Sequence, residues 1–262
     1  MHALALRRSG RAMRRWSVVL ACFLSAAIGA SVALVVGGSV ERAQRHARVR
    51  RANGVFRVQT GRRMVALTFD DGPDPRWTPE VLDLLHTYHD HATFFLVGRN
   101  AEAHPDLVKA EVQARDEIAN HTFDHPDLEL LSPPAVMREI ESGAAAIQRA
   151  GAPRPKLFRP PKGFTDEVVG VLANAHRYRT IFWDLTVEHF VDHAGVVEGI
   201  QELLEKVRPG SIILAHDGGI PNRSRTVHAL PLLLRGLRAR GYRVVSVSQL
   251  LANARRANVA PR

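Results

Sequence analysis

Short apolar runs recur along most of the chain, and stretches with helical spacing separate most of them. The runs are rich in β-branched and aromatic residues, which favours buried strands. The seven predicted strands are 65–71, 92–98, 116–121, 156–161, 179–185, 211–217 and 242–251. The predicted helices are 79–89, 105–114, 133–150, 166–175, 196–207 and 226–240. This alternation predicts an α/β protein with a largely parallel sheet.

The number of strand and helix units limits the architectures that are possible. About seven units would suit a closed or nearly closed barrel. A doubly wound open sheet is the alternative, and periodicity alone does not exclude it. In both architectures the functional side chains are expected at the carboxyl ends of the strands.

The N-terminal quarter of the chain follows a different pattern. Its central apolar segment carries no charge and is long enough, as a helix, to cross the roughly 30 Å hydrocarbon core of a bilayer. A cleaved signal peptide is the alternative, but its apolar core usually spans only about 7–15 residues. We therefore predict a membrane anchor, with a secreted protein as the outcome if the segment is cleaved. The predicted segments are a basic tail (1–15), a transmembrane anchor or signal segment (16–37), an Arg-rich linker (38–63), a catalytic domain (64–252) and a C-terminal tail (253–262).

The net charge of +10 is concentrated in that N-terminal part. Thirteen of the 36 Lys and Arg residues precede Met64, but only one of the 26 acidic residues, Glu41, does so. The remainder of the chain is slightly acidic, so the basic charge flanks an apolar segment and does not form a nucleic-acid surface. We expect a membrane partner and no nucleic acid. Cys22 is the only cysteine, which excludes an intrachain disulfide.

Polar side chains lie at the ends of two predicted strands in a pattern that indicates a metal site. Asp70 and Asp71 end the first strand, directly before a Gly-Pro turn, and His121 ends the third strand, with His125 four residues later. Adjacent carboxylates also occur in ordinary solvated turns, and pairs of histidines four apart arise by chance among 13 histidines. A carboxylate with two histidines is nevertheless a known open metal site, which leaves room for water and substrate.

Two further strand ends carry residues that hydrolysis could use. Arg159, in FRPPKG, could orient a carboxylate through paired hydrogen bonds, or it could form a surface salt bridge. His216, in ILAHDG, could donate a proton, or it could simply end a strand. Polar constellations at four separate strand ends together favour a catalytic site.

The motifs TFDDGP, HTFDH, RPPKG and LAH, in this order, resemble those of the polysaccharide deacetylases, the NodB-homology group of carbohydrate esterase family 4. The resemblance covers roughly Met64 to Leu251. It implies a distorted (β/α) barrel of about seven strands, preceded here by the predicted transmembrane helix. It also implies metal-dependent hydrolysis of N-acetyl groups, with release of acetate. The expected substrate is an envelope glycan such as peptidoglycan or an N-acetylglucosamine polymer.

The resemblance also implies the roles of individual residues. Asp71, His121 and His125 are expected to bind a divalent metal ion, zinc or alternatively cobalt or another divalent ion. Asp70 is expected to act as the general base and Arg159 to hold it in place.

The remaining expected roles concern the oxyanion, the leaving group and the substrate pocket. A backbone N–H, that of Lys162, would contact the oxyanion, and His216 would protonate the departing amine. Pro160, Leu214 and Phe190 are the expected pocket residues.

The chain departs from the family pattern at two places. Lys162 stands where an aromatic residue is common, and His189-Phe190 stand where an Asp-Trp pair is typical. That Asp tunes the catalytic histidine in the family, so the partner of His216 is open. Three nearby carboxylates could substitute for it: Asp184, Glu188 and Asp192.

The altered motif keeps other functions open. One alternative is an O-acetyl esterase or a hydrolase of non-sugar amides, and another is a weakly catalytic glycan-binding protein. In the main hypothesis the membrane anchor places the catalytic domain outside the cytoplasm, close to an envelope glycan.

Overall fold

The computed structural model describes residues 54–163, 165 and 167–259. The predicted basic tail and the predicted span 16–37 lie outside the described residues, so both stay predictions. Within the part that the structure describes, no helix combines the length and apolar character that crossing a bilayer requires.

The described residues contain one parallel sheet of eight strands. The strands are β1 (Met64–Asp70), β2 (Thr93–Leu96), β3 (Glu117–Asn120), β4 (Leu157–Phe158), β5 (Arg179–Thr180), β6 (Leu185–Thr186), β7 (Ile212–His216) and β8 (Arg243–Val245). Their order is β5-β4-β3-β2-β1-β7-β6, and β8 pairs with the first half of β1. The prediction of a parallel, (β/α) barrel-like fold is confirmed.

Helices connect the strands and cover the sheet. They are α1 (Thr78–Tyr88), α2 (Gly98–Ala103), α3 (Pro105–Gln113), α4 (Pro133–Arg149), α5 (Glu167–Ala175), α6 (Val187–Ala194), α7 (Val196–Lys206), α8 (Ser224–Ala239) and α9 (Val247–Val259). Prolines in the first turn of α1, α3 and α4 mark where these helices begin. Proline lacks an N–H group, but in the first turn an N–H would have no intrahelical partner, so no hydrogen bond is lost. The short helices α2 and α6 were not predicted.

The segment 54–58 contacts β5 and the residues that precede β7. The Val55 N–H donates to the Thr180 carbonyl (3.0 Å), and the Val58 N–H donates to the Gly210 carbonyl, two residues before β7 (2.9 Å). The segment thus hydrogen-bonds to two separate parts of the domain. Residues placed in the predicted Arg-rich linker therefore belong to the folded domain.

Most strands are shorter than the sequence indicated, and three differ clearly. The strand β4 occupies only Leu157–Phe158 of the predicted strand 156–161. The predicted strand 179–185 is interrupted, and β5 and β6 occupy only its two ends. The predicted strand 242–251 stops at Val245, because a capping box starts α9: the Gln249 N–H donates to Ser246 Oγ (3.3 Å) and the Ser246 N–H donates to Gln249 Oε1 (3.4 Å). The helix continues to Val259, past the predicted domain end at residue 252.

The alternation along β1 separates two environments. Leu67 and Phe69 face the core between the sheet and its helices, whereas Ala66 packs inside the barrel. Thr68 and Asp70 share the inner face with Ala66, because side chains two apart in a strand point the same way. The inner face therefore becomes polar toward the carboxyl end of β1.

Glu111 on α3 is a fully buried carboxyl group. Neither of its carboxyl oxygens has a hydrogen-bond partner among the described residues. Burial raises the pKa of Glu111 well above its ordinary value, and the nearby Asp217 and Asp116 raise it further. The native state therefore holds a proton that the unfolded chain releases, so the free energy of unfolding decreases as the pH rises above the unfolded-state pKa of about 4.3.

We predict that Glu111→Gln makes the protein more stable at pH 8 than the wild type, by about 1 kcal/mol or more, since one pKa unit corresponds to about 1.4 kcal/mol. The difference should be smaller at pH 5, where the wild-type carboxyl is largely protonated when folded. Urea denaturation at both pH values measures this. Asp106→Asn, at the exposed start of the same helix, is the control. An equal loss of stability between pH 5 and pH 8 in wild type and Glu111→Gln would contradict the prediction.

Candidate active site

Polar side chains gather where the strands end. Asp70 is the last residue of β1 and His216 the last of β7, and the two are direct partners in the register of these strands. Asp70 is only 3% exposed. Because the strands are parallel, the residues after β3 and β4 reach the same end of the sheet.

Asp71, His121 and His125 converge in the loops that follow β1 and β3. Asp71 Oδ1 lies 3.5 Å from His121 Nε2 and 3.2 Å from His125 Nε2. One ligand atom from each residue lies within 4.8 Å of the other two. This donor set fits a divalent ion, because a carboxylate and two imidazoles form an open metal site.

The backbone of these loops is held in an uncommon conformation. Asp71, Thr122 and His125 have positive φ angles of 72°, 71° and 60°, which non-glycine residues rarely adopt. Side chains stabilise the second loop: the Thr122 N–H donates to Asn120 Oδ1 and the His125 N–H donates to Thr122 Oγ1, both at 3.0 Å. These bonds fix where His125 enters the site.

Helix α4 supports the same loop from behind. Glu139 Oε2 accepts hydrogen bonds from the N–H groups of Phe123 (3.2 Å) and Asp124 (2.9 Å). A Cβ atom on Gly143, one turn later, would lie 2.6 Å from Asn120 Oδ1. Sequence reasoning missed Glu139, although its spacing of four from Gly143 places both residues on one helix face.

His121 is prepared to act as a ligand through Nε2. It is 1% exposed, and its Nδ1 lies 2.7 Å from the Arg159 carbonyl oxygen. A carbonyl oxygen only accepts hydrogen bonds, so Nδ1 carries the proton and Nε2 keeps its lone pair. Burial lowers the pKa of His121 to about 3, which keeps the ring neutral.

The side chain of Arg159 is fully buried and holds Asp70. Its Nη1 donates to Asp70 Oδ1 (2.6 Å) and to Thr68 Oγ1 (3.0 Å), while Nε and Nη2 donate to the carbonyls of Ile181 and Phe182 (both 3.2 Å). Burial raises the pKa of Asp70, and the charge of Arg159 opposes that rise.

Glu188 on α6 is the carboxylate that contacts His216. Its Oε1 lies 3.2 Å from His216 Nδ1 and accepts hydrogen bonds from the His216 N–H (2.9 Å) and Thr226 Oγ1 (3.0 Å). Burial lowers the pKa of His216, but Glu188, together with Asp70 and Asp71, outweighs burial, and the net pKa is raised.

The other two carboxylates that the sequence left open have different partners. Asp184 accepts hydrogen bonds from Ser211 Oγ and from the Ile212 N–H, both at 2.8 Å. Asp192 is exposed and pairs with Arg225 at 3.1 Å. The structure therefore selects Glu188 among the three.

The expected pocket residues lie in different places. Leu214 is buried two residues before His216, on the same face of β7, and Pro160 is buried directly after Arg159. Phe190, in contrast, is 7% exposed and packs into the core between the sheet and its helices. Phe190 lies on the buried face of α6, a helix that was not predicted, and its expected place in the pocket stays a prediction.

Two further basic residues lie after strands of the sheet, Lys162 after β4 and Arg223 after β7. Lys162 has a positive φ of 58°, and its Nζ lies 2.6 Å from Asp127 Oδ1 in a half-exposed ion pair. Arg223 Nη2 lies 3.5 Å from Asp71 Oδ2. Sequence reasoning missed Arg223, because a single arginine in a loop after β7 carries no local signal of this contact.

The comparisons with known proteins agree with this arrangement. A family model described as polysaccharide deacetylase matches residues 57–181. A peptidoglycan-N-acetylglucosamine deacetylase of Bacillus cereus is 37% identical over 197 residues, which cover 75% of this chain and 92% of that protein. A chitooligosaccharide deacetylase of Sinorhizobium fredii is 38% identical over 207 residues, covering 74% and 95%.

A solved structure shows the same likeness. The crystal structure of the Bc1960 peptidoglycan N-acetylglucosamine deacetylase superposes with a TM-score of 0.71 at 30% identity, covering 75% of this chain and 92% of that chain. On the strength of these matches along most of its length, the chain belongs to the polysaccharide deacetylase family.

Proposed function

We propose that this protein hydrolyses N-acetyl groups of a glycan and releases acetate, with a divalent metal ion at Asp71, His121 and His125. The observation that carries the proposal is the convergence of these three side chains beside Asp70 and His216. In this proposal, metal ligands, a base and an acid would lie at one end of the sheet, as hydrolysis requires.

The ligand types support the choice of metal in this proposal. Zinc is our proposal because it binds imidazole nitrogen and carboxylate oxygen in sites with three protein ligands, and cobalt can take the same donors. A divalent ion held by Asp71, His121 and His125 would supply Lewis acidity, which would lower the pKa of water and polarise the acetyl carbonyl.

Asp70 is the proposed general base. Arg159 holds its Oδ1, while its Oδ2 faces the metal ligands, 3.7 Å from His121 Nε2. The ion pair keeps the carboxylate ionised, and burial raises its pKa toward the range in which it accepts a proton effectively. Asp70 would take the proton of the attacking water.

His216 is the proposed general acid. Its Nδ1 faces Glu188, so Nε2 is free to protonate the departing amine. The raised pKa keeps the imidazole protonated closer to neutral pH, which a proton donor requires. Glu188 is a positioning residue that acts through His216.

The oxyanion would lie near the backbone N–H of Lys162, in the role that the family resemblance implies. A change of side chain at this position leaves that N–H in place, so the lysine is compatible with the proposal. Pro160 and Leu214 remain the proposed pocket residues.

The substrate proposed is an N-acetylglucosamine glycan, with peptidoglycan as the main candidate. The names of the relatives support this class, since they refer to peptidoglycan and to chitooligosaccharides. We further propose that the apolar segment 16–37 anchors the protein in a membrane, with the catalytic domain outside the cytoplasm.

We predict that the full chain, stripped with a chelator and reloaded with zinc or cobalt, releases acetate from N-acetylglucosamine oligomers or from peptidoglycan. Asp70→Asn should retain metal but lose roughly 100-fold or more of this activity, since it removes the base. Acetate assays and metal analysis measure both. Asp192→Asn, an exposed carboxylate, is the control. Metal-independent release, or release only from O-acetylated substrates, would contradict the proposal.

We predict that Glu188→Gln shifts the alkaline limb of the pH profile of kcat/KM to lower pH. A general acid is active only while protonated, and loss of the negative charge lowers the pKa of His216. Rates measured from pH 5 to pH 10 test this. Asp192→Asn, on the same helix but paired with Arg225, should leave the limb in place. An unchanged limb in Glu188→Gln would show that Glu188 does not tune His216.

We predict that the full chain sediments with membranes and resists extraction with alkaline carbonate, whereas a chain that lacks residues 1–37 stays in the supernatant. The physical reason is the length of the uncharged apolar segment 16–37. Immunoblots of the two fractions measure this. Recovery of the intact full-length chain in the supernatant would contradict the anchor.

A further inference from the structure

We propose that Arg223 is a positioning residue that holds one oxygen of Asp71, so that Asp71 presents only its other oxygen to a divalent ion. The inference rests on the proposed metal site and assigns a role to a residue outside the four motifs. It concerns the residues between β7 and α8, which wrap over the carboxylate of Asp71.

The two oxygens of Asp71 face different partners. Oδ1 lies 3.2 Å and 3.5 Å from the Nε2 atoms of His125 and His121, whereas Oδ2 lies 3.5 Å from Arg223 Nη2. Arg223 is only 9% exposed, and its Nε donates a 2.6 Å hydrogen bond to the Gly218 carbonyl. The guanidinium is therefore fixed between the loop and the carboxylate.

Two glycines allow this close approach. A Cβ atom on Gly218 would overlap the carbonyl oxygen of Asp71, and a Cβ atom on Gly219 would overlap Asp71 Oδ2. Gly219 also has a φ of +83°, which favours glycine. The loop thus covers the Oδ2 side of Asp71 and leaves the Oδ1 side facing the histidines.

The backbone of Asp71 is fixed independently. Its φ is 72°, and its carbonyl oxygen accepts a 2.9 Å hydrogen bond from Asn100 Nδ2. The carboxylate could still rotate about the side-chain bonds of Asp71, and in this proposal Arg223 prevents that rotation. A carboxylate held in this way binds a cation through one oxygen, whereas a freely turning carboxylate can chelate it with both.

The charge of Arg223 has two opposite effects on a bound dication. Its positive charge repels the ion, but its ion-pair contact with Oδ2 orients the ligand. Arg223 is also a minor cause of the lowered pKa of Glu188: burial raises that pKa, and His216 is the main group that lowers it. We expect orientation to outweigh repulsion at the metal site.

The test is metal binding by Arg223→Met in the full chain. The expected result is a dissociation constant for Zn²⁺ that is about 10- to 100-fold higher, the typical effect of removing a residue that orients a ligand. Chelator competition measures this. In the Co²⁺-loaded variant, the visible absorption bands should lose intensity, because a second Asp71 oxygen would raise the coordination number. A purely structural role would not change that spectrum in a folded variant.

Arg225→Met is the matched control, since Arg225 lies two residues further on, is exposed and pairs with Asp192. Arg223→Lys keeps the charge and serves if Arg223→Met does not fold, with a weaker spectral change expected. In an Asp71→Asn background, Arg223→Met should weaken metal binding by much less than in the wild type, because the carboxylate it orients is absent.

The outcomes separate the two proposals. Wild-type affinity and an unchanged cobalt spectrum in folded Arg223→Met, or in Arg223→Lys where the former does not fold, would overturn this inference and leave the metal site intact. Equal losses in Arg223→Met and Arg225→Met would overturn it as well. A wild-type chain that binds neither Zn²⁺ nor Co²⁺ would overturn the proposed metal site itself.

Discussion

The buried ion pair between Arg159 and Asp70 is the interaction on which the site depends. Moving a guanidinium into the barrel interior costs several kcal/mol unless its N–H groups find partners. Here Nε, Nη1 and Nη2 all donate to oxygen atoms, and the group lies 4.0 Å from the centre of the Phe95 ring. The same residue offers its carbonyl oxygen to His121 Nδ1. One arginine therefore orients both the candidate base and a candidate metal ligand.

The parallel register gives this ion pair its geometry. Asp70 pairs with Phe95 of β2 on one side and with His216 of β7 on the other. Arg159 follows β4, two strands beyond β2, and reaches across the inner face of the sheet. A slip of one residue in β1 would turn Asp70 toward the helices and bring Phe69 inside. The polar end of the barrel and its apolar core are thus fixed by the same alternation.

The sequence predicted the parts of this structure that local patterns encode. Strand and helix periodicity predicted the parallel sheet, and the motif spacing indicated which of the 13 histidines lie at the candidate site. The place of Glu188 could not be predicted, because it depends on where α6 begins and therefore on which helix face meets β7. The same helical phase moved Phe190 into the core. Arg223 and Asp71 are far apart in the sequence although their side chains meet, so no short-range pattern indicates their contact.

The distribution of charge explains how adjacent aspartates can do different work. Asp70 ends a strand and points inward to Arg159, whereas the positive φ of Asp71 turns the next side chain toward the two histidines and Arg223. Like charges in one site repel unless each has its own cation. Glu188 likewise has its own cationic partner, which is His216 when the imidazole is protonated. Each carboxylate thus has a distinct partner, which separates the proposed roles of base, metal ligand and positioning residue within one small site.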